Sequence, residues 1–165
     1  MILAKCSYNL INMLKDELQK KYDKYIILQE RNEEVYECYL INLYKELNLG
    51  IGLAISSIGV NPKVLVSSDK QKAFIGFDSS VFCISIPSLE SKLLKLDGVF
   101  FDLFFLANGK ICIIHELGAI IANQNLIREK YISTDIISEW KIDTINKVIL
   151  LNELDSEETL ALAYD

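Results

Sequence analysis

The first part of the chain carries apolar residues at helical spacing. Leu10, Leu14 and Leu18 recur four residues apart, and lysine and acidic residues occupy the positions between them. Such spacing places the leucines on one face of a helix and the charges on the other. The pattern predicts an amphipathic helix between Ser7 and Tyr22, with the Ser7 side chain available as its N-cap.

A second helix is predicted between Asn32 and Leu47. Asn32 is followed by Glu33 and Glu34, so carboxylates lie at the positive end of the helix dipole. The apolar residues that follow fill two rows at a spacing of four: Val35, Tyr36, Tyr39, Leu40, Leu43, Tyr44 and Leu47. The alternative is a β-hairpin with residues 25–29 and 35–43 as its arms, because valine and tyrosine favour strands.

After Asn48 the pattern changes to short apolar runs separated by turn residues. This alternation predicts a series of β-strands, with residues 123–131 as a loop or short helical turn. The predicted strands occupy residues 63–67, 73–77, 81–86, 99–106, 110–116, 119–122, 136–142 and 148–151. Because strands that follow each other along the chain usually pair in space, an antiparallel meander is the simplest topology.

The two central hairpins resemble each other at an offset of 38 residues. Lys72 aligns with Lys110, and Asp78 aligns with Glu116 just before each turn. Hairpin repeats of about 40 residues are typical of propeller blades. A closed propeller needs at least about four four-stranded blades, for which 165 residues are too few. We therefore expect one twisted meander sheet.

These patterns predict the α+β class: an antiparallel meander β-sheet preceded by, and packed against, N-terminal helices. We expect a single domain over residues 1–165. Within it, residues 1–48 are predicted to be mainly helical, residues 49–152 mainly β, and residues 153–165 an acidic tail segment. Hydrophobic residues make up 51% of the chain, which excludes a disordered or low-complexity protein.

Charge narrows the range of partners. The formal net charge is −6, so the field around the protein repels nucleic-acid phosphates and anionic lipids. We expect neither nucleic acid nor a membrane as a partner, since no apolar run reaches the roughly 18 residues of a spanning helix. The acidic residues concentrate near the end of the sequence, at Glu153, Asp155, Glu157 and Glu158, where they are candidates for binding a basic partner.

The four cysteines lie far apart and form no C-x-x-C pair. This spacing argues against a zinc site and against a compact disulfide framework, so no metal is expected. Reduced thiols indicate a cytoplasmic location. No nucleotide-binding or nucleophile-elbow motif is present, and no cofactor is expected.

His115 is the only histidine and lies three residues from Cys112. In a strand these two side chains point to opposite faces, so they cannot act as a nucleophile and its base. Asp102 lies in an apolar row of its predicted strand, and a charge there must be paired, reach solvent or titrate upward. It is a further candidate anchor for a partner's Arg or Lys.

Asp78 and Glu116 are the remaining candidate residues. They could carry out acid and base catalysis of the glycosidase type only if the fold brings their carboxyl groups within about 5–10 Å. Acids beside turns more often bond to the backbone or lie in solvent. We therefore predict no catalytic residues, and we treat both carboxylates as candidates for partner binding.

Two segments carry a resemblance to a known class of protein. The first is Ile113-Ile114-His115-Glu116-Leu117-Gly118, and the second is Thr134-Asp135-Ile136-Ile137-Ser138-Glu139-Trp140. Together they resemble small bacterial toxin-immunity proteins, including those of contact-dependent inhibition systems, over about the last hundred residues. The resemblance implies a cytoplasmic, non-enzymatic protein that binds a toxin domain and blocks it. It transfers no binding residues, because such interfaces vary.

The leading hypothesis is therefore an inhibitory binding protein whose partner is a toxin domain of basic character. The first alternative is a hydrolase-type enzyme that uses Asp78, Asp102 or Glu116 in a pocket floored by the sheet. The second alternative is a small ligand-sensing module with a closed apolar cavity. A concave pocket holding converging carboxylates would favour the enzyme.

Overall fold

The computed structural model of the protein describes residues 1–30, 34–43 and 48–164. Within these residues the chain forms fifteen β-strands and one α-helix. The predicted α+β class is therefore wrong, because the fold is almost entirely β and consists of four separate sheets. Backbone contacts divide the chain into two compact units, Met1–Val60 and Asn61–Asp165.

The first unit is a four-stranded sheet with one helix packed on it. The strand order is β1-β3-β4-β2, in which β2 runs parallel to β4 and the other pairs are antiparallel. The elements are β1 (Ile2–Lys5), α1 (Ile11–Lys21), β2 (Lys24–Gln29), β3 (Glu37–Asn42) and β4 (Leu49–Ile55).

The helix α1 confirms the first amphipathic pattern, although it begins later than predicted. Leu14 and Leu18 are fully buried against the sheet. A Cβ atom on Gly52 of β4 would lie 2.8 Å from Leu18 Cδ1, so any larger residue there would force the helix leucines to shift. Leu10 occupies the N-cap position without a side-chain hydrogen bond, so the prediction of Ser7 as the cap is wrong.

The predicted second helix is wrong where the structure describes it, because β3 lies there instead. The strand pairs with β1 on one side and β4 on the other, and residues 38–41 are buried. Cys38 and Leu40 face α1, as alternation along a strand requires. Cross-strand pairing on both sides therefore overrides the helical spacing of the apolar residues.

The alternative hairpin is right about the strand character of both arms and wrong about their pairing. In the described residues, β2 and β3 both pair with β4 and not with each other. Part of the predicted helix, including Asn32, Glu33 and residues 44–47, lies outside the described residues.

The second unit consists of three successive antiparallel meander sheets. The predicted pairing of consecutive strands is confirmed, but the strands form three sheets and not one. The first sheet contains β5 (Lys63–Val66), β6 (Lys72–Phe77), β7 (Ser80–Ser85) and β8 (Ser91–Lys95). The second sheet contains β9 (Phe100–Phe105), β10 (Ile111–His115), β11 (Gly118–Ala122) and β12 (Arg128–Ser133). The third sheet contains β13 (Ile137–Asp143), β14 (Val148–Glu153) and β15 (Thr159–Ala163).

The offset of 38 residues extends beyond the central hairpins to whole sheets. Ile75, Ile113 and Leu151 occupy equivalent positions in β6, β10 and β14, each 38 residues after the previous one. Their neighbours on the preceding strands are also equivalent: Val64, Leu103 and Trp140. The three sheets therefore repeat one meander about equivalent middle strands, with four strands in the first two sheets and three in the third.

The sheets of this unit pack through large side chains. Phe100 of β9 lies over Gly76 of β6, where a Cβ would be 2.1 Å from its ring. The rings of Phe101 and Trp140 stack with centroids 5.9 Å apart. The second and third sheets share one apolar core, which includes Cys112, Ile114, Ala119, Ile121, Ile137, Ile149, Leu151, Leu162 and Tyr164.

Two further predictions need correction. Residues 123–131 are only partly a loop, because β12 begins at Arg128. The segment 153–165 is not only a solvated tail, since β15 adds to the third sheet and buries Leu162. As for membrane spans, the described part of the chain contains no helix that is long and apolar enough to cross a bilayer.

Candidate functional site

A surface cavity of about 280 Å³ lies at the end of the third sheet. Three connections form its wall: the turn between β10 and β11, the loop between β12 and β13, and the loop between β14 and β15. The lining residues are Leu117, Asp135, Ile136, Glu153, Leu154, Asp155 and Ser156.

Backbone hydrogen bonds hold these connections together. The Thr134 N–H donates to the Leu117 carbonyl at 3.1 Å, and the Leu154 N–H donates to the Ile136 carbonyl at 2.7 Å. The walls of the cavity therefore come from separate hairpins that are tied to each other by main-chain atoms. This construction positions the lining side chains on a fixed frame.

Three of the seven lining residues are acidic, and none is basic. Glu153 is half-buried and accepts a hydrogen bond from the Asp135 N–H at 2.9 Å through Oε1, whereas Asp155 is exposed. Carboxylates grouped in a concave surface reinforce each other's negative potential. The cavity is therefore suited to an ammonium or guanidinium group.

Apolar side chains stand beside these acids. Ile136 is 45% exposed and Leu154 is 60% exposed, and both line the cavity. Large aliphatic side chains in water are available for burial against another molecule. The arrangement can thus contact a ligand that is both cationic and partly apolar.

Four of the predicted acidic residues lie on or near this cavity. Glu153 and Asp155 line it. Glu157 and Glu158 follow in the same loop and are exposed, and the Glu158 N–H donates to the Ser156 Oγ at 3.0 Å. The structure therefore brings the first two together and places the other two next to the start of β15.

Asp102 is engaged within the molecule. Its carboxylate forms an ion pair with Lys63 of the first sheet and accepts the Leu103 N–H at 2.7 Å. The charge in the apolar row of β9 is therefore paired, which is the first of the three outcomes that burial allows.

Asp78 and Glu116 occupy equivalent turns at one end of β9. The Phe100 N–H donates to the Asp78 carbonyl at 2.7 Å, and the Glu116 N–H donates to the Val99 carbonyl at 2.8 Å. Glu116 also accepts the Val99 N–H through its side chain at 3.4 Å. The fold brings the two turns near each other, but neither residue lines the acidic cavity.

His115 is fully buried at the end of β10. Its Nδ1 accepts the Leu117 N–H at 3.4 Å, and its ring stacks on Tyr131 with centroids 6.0 Å apart. Burial lowers the pKa of the imidazole, against the smaller raising effect of Asp97 and Glu116. In the described part of the protein, Nε2 has no hydrogen-bond partner.

The cysteines are poor nucleophiles. All four are free thiols, and burial raises the pKa of each, to about 11 for Cys38. Cys112 lies in the apolar core shared by the second and third sheets. Among residues 1–30, 34–43 and 48–164, no group of three or more His, Cys, Asp and Glu side chains is arranged to hold a metal ion.

A second cavity, of about 270 Å³, lies in the first unit. Its opposite charges are already paired, because Lys5 Nζ lies 2.5 Å from Glu37 Oε1. Glu37 also accepts a hydrogen bond from the Tyr39 hydroxyl at 2.8 Å. We therefore regard the acidic cavity of the third sheet as the candidate site.

Sequence patterns did not predict Asp135, Ile136 and Leu154 as site residues. Leu154 directly follows Glu153, whereas Asp135 and Ile136 meet Glu153 only through the hairpin pairing of β13 with β14. The two segments that carried the family resemblance do contain Leu117, Asp135 and Ile136. They gave no signal that these residues line one cavity.

Comparison with protein-family models and with curated proteins found no match for the chain.

Proposed function

We propose that the protein is a non-enzymatic inhibitory protein of the immunity type, which neutralises a partner toxin by direct binding. The observation that carries this proposal is the cavity itself: three carboxylates with no basic lining residue, beside the exposed side chains of Ile136 and Leu154. A cationic side chain of the partner enters the cavity, and the two aliphatic side chains pack against its apolar surroundings.

The charge of the protein supports a basic partner. Its net charge of −6 accelerates encounter with a positively charged surface and disfavours acidic competitors. The resemblance to immunity proteins is a second support, because it implies a toxin domain as partner and the cytoplasm as the place of action. The wider set of candidate residues, Asp78, Asp102 and Glu116, lies outside the cavity and is not needed for this contact.

The direct test is co-expression with the protein encoded by the adjacent reading frame, followed by calorimetry on the purified pair. We expect a complex whose affinity falls as salt is raised from about 50 to about 300 mM, since screening weakens charge pairing. The absence of a complex, or an affinity that does not change with salt, would contradict the proposal.

Two substitutions locate the contact. Glu153→Gln keeps an oxygen acceptor for the Asp135 N–H and removes only the charge. Asp155→Asn removes only the charge at the exposed position. We expect the double variant to bind the partner at least about 100-fold more weakly, because charged hydrogen bonds contribute about 1.5–3 kcal/mol each. Glu90→Gln, at an exposed acid in the connection between β7 and β8, is the matched control and should bind normally.

The cavity also gives the hydrolase alternative a specific observation, because three carboxylate residues line one concave surface. In that case Glu153 and a second lining acid would have to lie within about 5–10 Å of each other to act as acid and base. The test is turnover of a panel of nitrophenyl glycosides and esters. Activity that disappears in Glu153→Gln would favour the enzyme, whereas equal rates in wild type and variant favour binding.

The ligand-sensing alternative has less support. It requires an enclosed apolar cavity, whereas the candidate site is open to solvent and contains Asp135, Glu153 and Asp155.

A further inference from the structure

The third sheet ends at a strand whose outer side pairs with no other strand of the described residues. The Tyr164 N–H donates to the Lys147 carbonyl, on the side of β14. Because hydrogen bonding alternates along an antiparallel strand, Thr159, Ala161 and Ala163 direct their N–H and C=O groups outward. Lys130 reaches one of these groups, the Ala163 carbonyl, at 3.0 Å.

The side chains of this edge leave it open to pairing. Proteins usually protect edge strands with lysine, proline or a bulge. Ala161 and Ala163 are small and exposed, β15 contains neither a charged residue nor proline, and no register shift separates it from β14. By contrast, the last strands of the two four-stranded sheets in the second unit carry basic residues: Lys92 and Lys95 in β8, and Arg128 and Lys130 in β12.

The repeat identifies the position that a fourth strand would occupy. Ala161 of β15 is equivalent to Cys83 of β7 and Ile121 of β11, since each faces the equivalent residue of the middle strand. In both four-stranded sheets the residue on the other side of this position is a lysine. Lys92 lies opposite Cys83, and Lys130 lies opposite Ile121.

From this register we infer that β15 binds an extended basic segment of a partner protein as the fourth, antiparallel strand of the third sheet, with a Lys or Arg opposite Ala161. Main-chain hydrogen bonds to the outward groups of β15 supply the pairing, as in other cases of β-strand addition. Glu157 and Glu158, which precede Thr159, lie at the end of β15 where the added strand would finish. Their charges favour a basic segment over an acidic one.

This inference adds a second contact surface and does not depend on the acidic cavity. It rests on the open edge of β15, the register of the repeat and the charges of Glu157 and Glu158. It also distinguishes a basic partner strand from a symmetric pairing of two copies through β15, because β15 contains no basic residue.

The test uses a synthetic peptide with the sequence of residues 127–134, the segment that contains β12. We expect this peptide to bind the full chain, with broadening or shifts of the amide signals of Ala161 and Ala163. A peptide with methylated backbone nitrogens at alternate positions should lose binding. A peptide carrying the change Lys130→Glu should bind at least about tenfold more weakly.

Variants of the protein provide the matched controls. Ala161→Pro removes an outward N–H without removing a bond to β14, so the fold should persist and peptide binding should be lost. Ala161→Lys gives β15 the charge that protects the other outer strands and should weaken binding at least about tenfold. Ala161 is exposed, so the lysine variant should fold and still test the inference if the proline variant does not fold.

The inference is overturned if the unmodified peptide does not bind, or if it binds wild type and Ala161→Lys equally. It is also overturned if the protein alone forms a dimer that Ala161→Lys dissociates, because the occupant of the edge is then a second copy. Such failures leave the cavity proposal standing, since the cavity is tested by Glu153→Gln and Asp155→Asn against the co-expressed partner.

Discussion

The second and third sheets have equivalent backbone positions, but the side chains at these positions differ. At the end of the middle strand, three equivalent positions hold Phe77 in the first sheet, His115 in the second and Glu153 in the third. The first two side chains are buried, whereas Glu153 lines an open cavity. Equivalent backbone positions in the three sheets therefore hold an aromatic ring, a buried imidazole and a solvent-facing carboxylate.

The outer edges differ in the same way. The second sheet ends in β12, with its exposed arginine and glutamate, whereas the third ends in the uncharged strand β15. All three repeats contribute to the core, and the third differs from the other two at the two places where we propose that a partner binds. Substitutions at core positions should alter stability, and substitutions in the acidic cavity or on the edge of β15 should alter binding.

The largest expected effect comes from the core that joins the two sheets. Ile114 is fully buried there. We expect Ile114→Ala to lower the free energy of unfolding by about 2–5 kcal/mol, through lost burial and the cavity left behind. Urea unfolding followed by the fluorescence of Trp140, the only tryptophan, would measure this. Ile145→Ala, at a side chain 90% exposed, should change stability by less than about 0.5 kcal/mol.

Substitutions at the contacts between neighbouring sheets should have a smaller effect on the free energy of unfolding. One contact between the second and third sheets is the stacked pair Phe101 and Trp140, and one contact between the first and second is the ion pair of Lys63 and Asp102. We expect Trp140→Ala to cost about 1–3 kcal/mol and Asp102→Asn less than about 1 kcal/mol, since partly exposed ion pairs contribute little. Circular dichroism during urea unfolding would compare them. Equal costs would contradict this account of the two interfaces.

The third effect depends on pH. Burial lowers the pKa of His115 below its ordinary value of 6.5, so the unfolded chain binds a proton more readily than the folded chain. Stability should therefore fall as pH drops below about 6.5, by at most about 1.4 kcal/mol per pH unit. His115→Phe, which copies Phe77, should remove this loss between about pH 7.5 and pH 5.5.

A matched comparison isolates the imidazole in that experiment. The pKa of Glu37 is lowered by its hydrogen bond with Lys5, so its contribution is lost only as pH falls below its ordinary value of 4.5, outside the window. Urea unfolding at both pH values would therefore report on His115 alone. An unchanged slope in His115→Phe would show that another group causes the acid sensitivity.

Local patterns predicted α1 and most strands of the second unit, because their apolar spacing agrees with their final environment. The same patterns failed at β3, where apolar residues at a helical spacing lie in a central strand. There the pairing with β1 and β4 decides the structure, and that pairing joins distant residues that a local pattern does not reveal.

The candidate site was predicted only in part for the same reason. Glu153 and Asp155 stood out as acids near the end of the sequence, but Asp135 meets them only because β13 pairs with β14. The repeat was visible at Lys72 and Lys110, yet local similarity did not show that it builds separate sheets. Separation into three sheets follows from side-chain packing, such as Phe100 against Gly76, which a single sequence does not display.

The central claim is that the third sheet departs from its repeats by presenting a binding edge. Amide hydrogen exchange at Ala161, compared with the equivalent Ile121, tests it most directly. In the free protein the Ala161 amide should exchange fast and the Ile121 amide slowly, because only Ile121 is covered by a fourth strand. Addition of the basic peptide should slow exchange at Ala161. Equal protection of both amides in the free protein would contradict the claim.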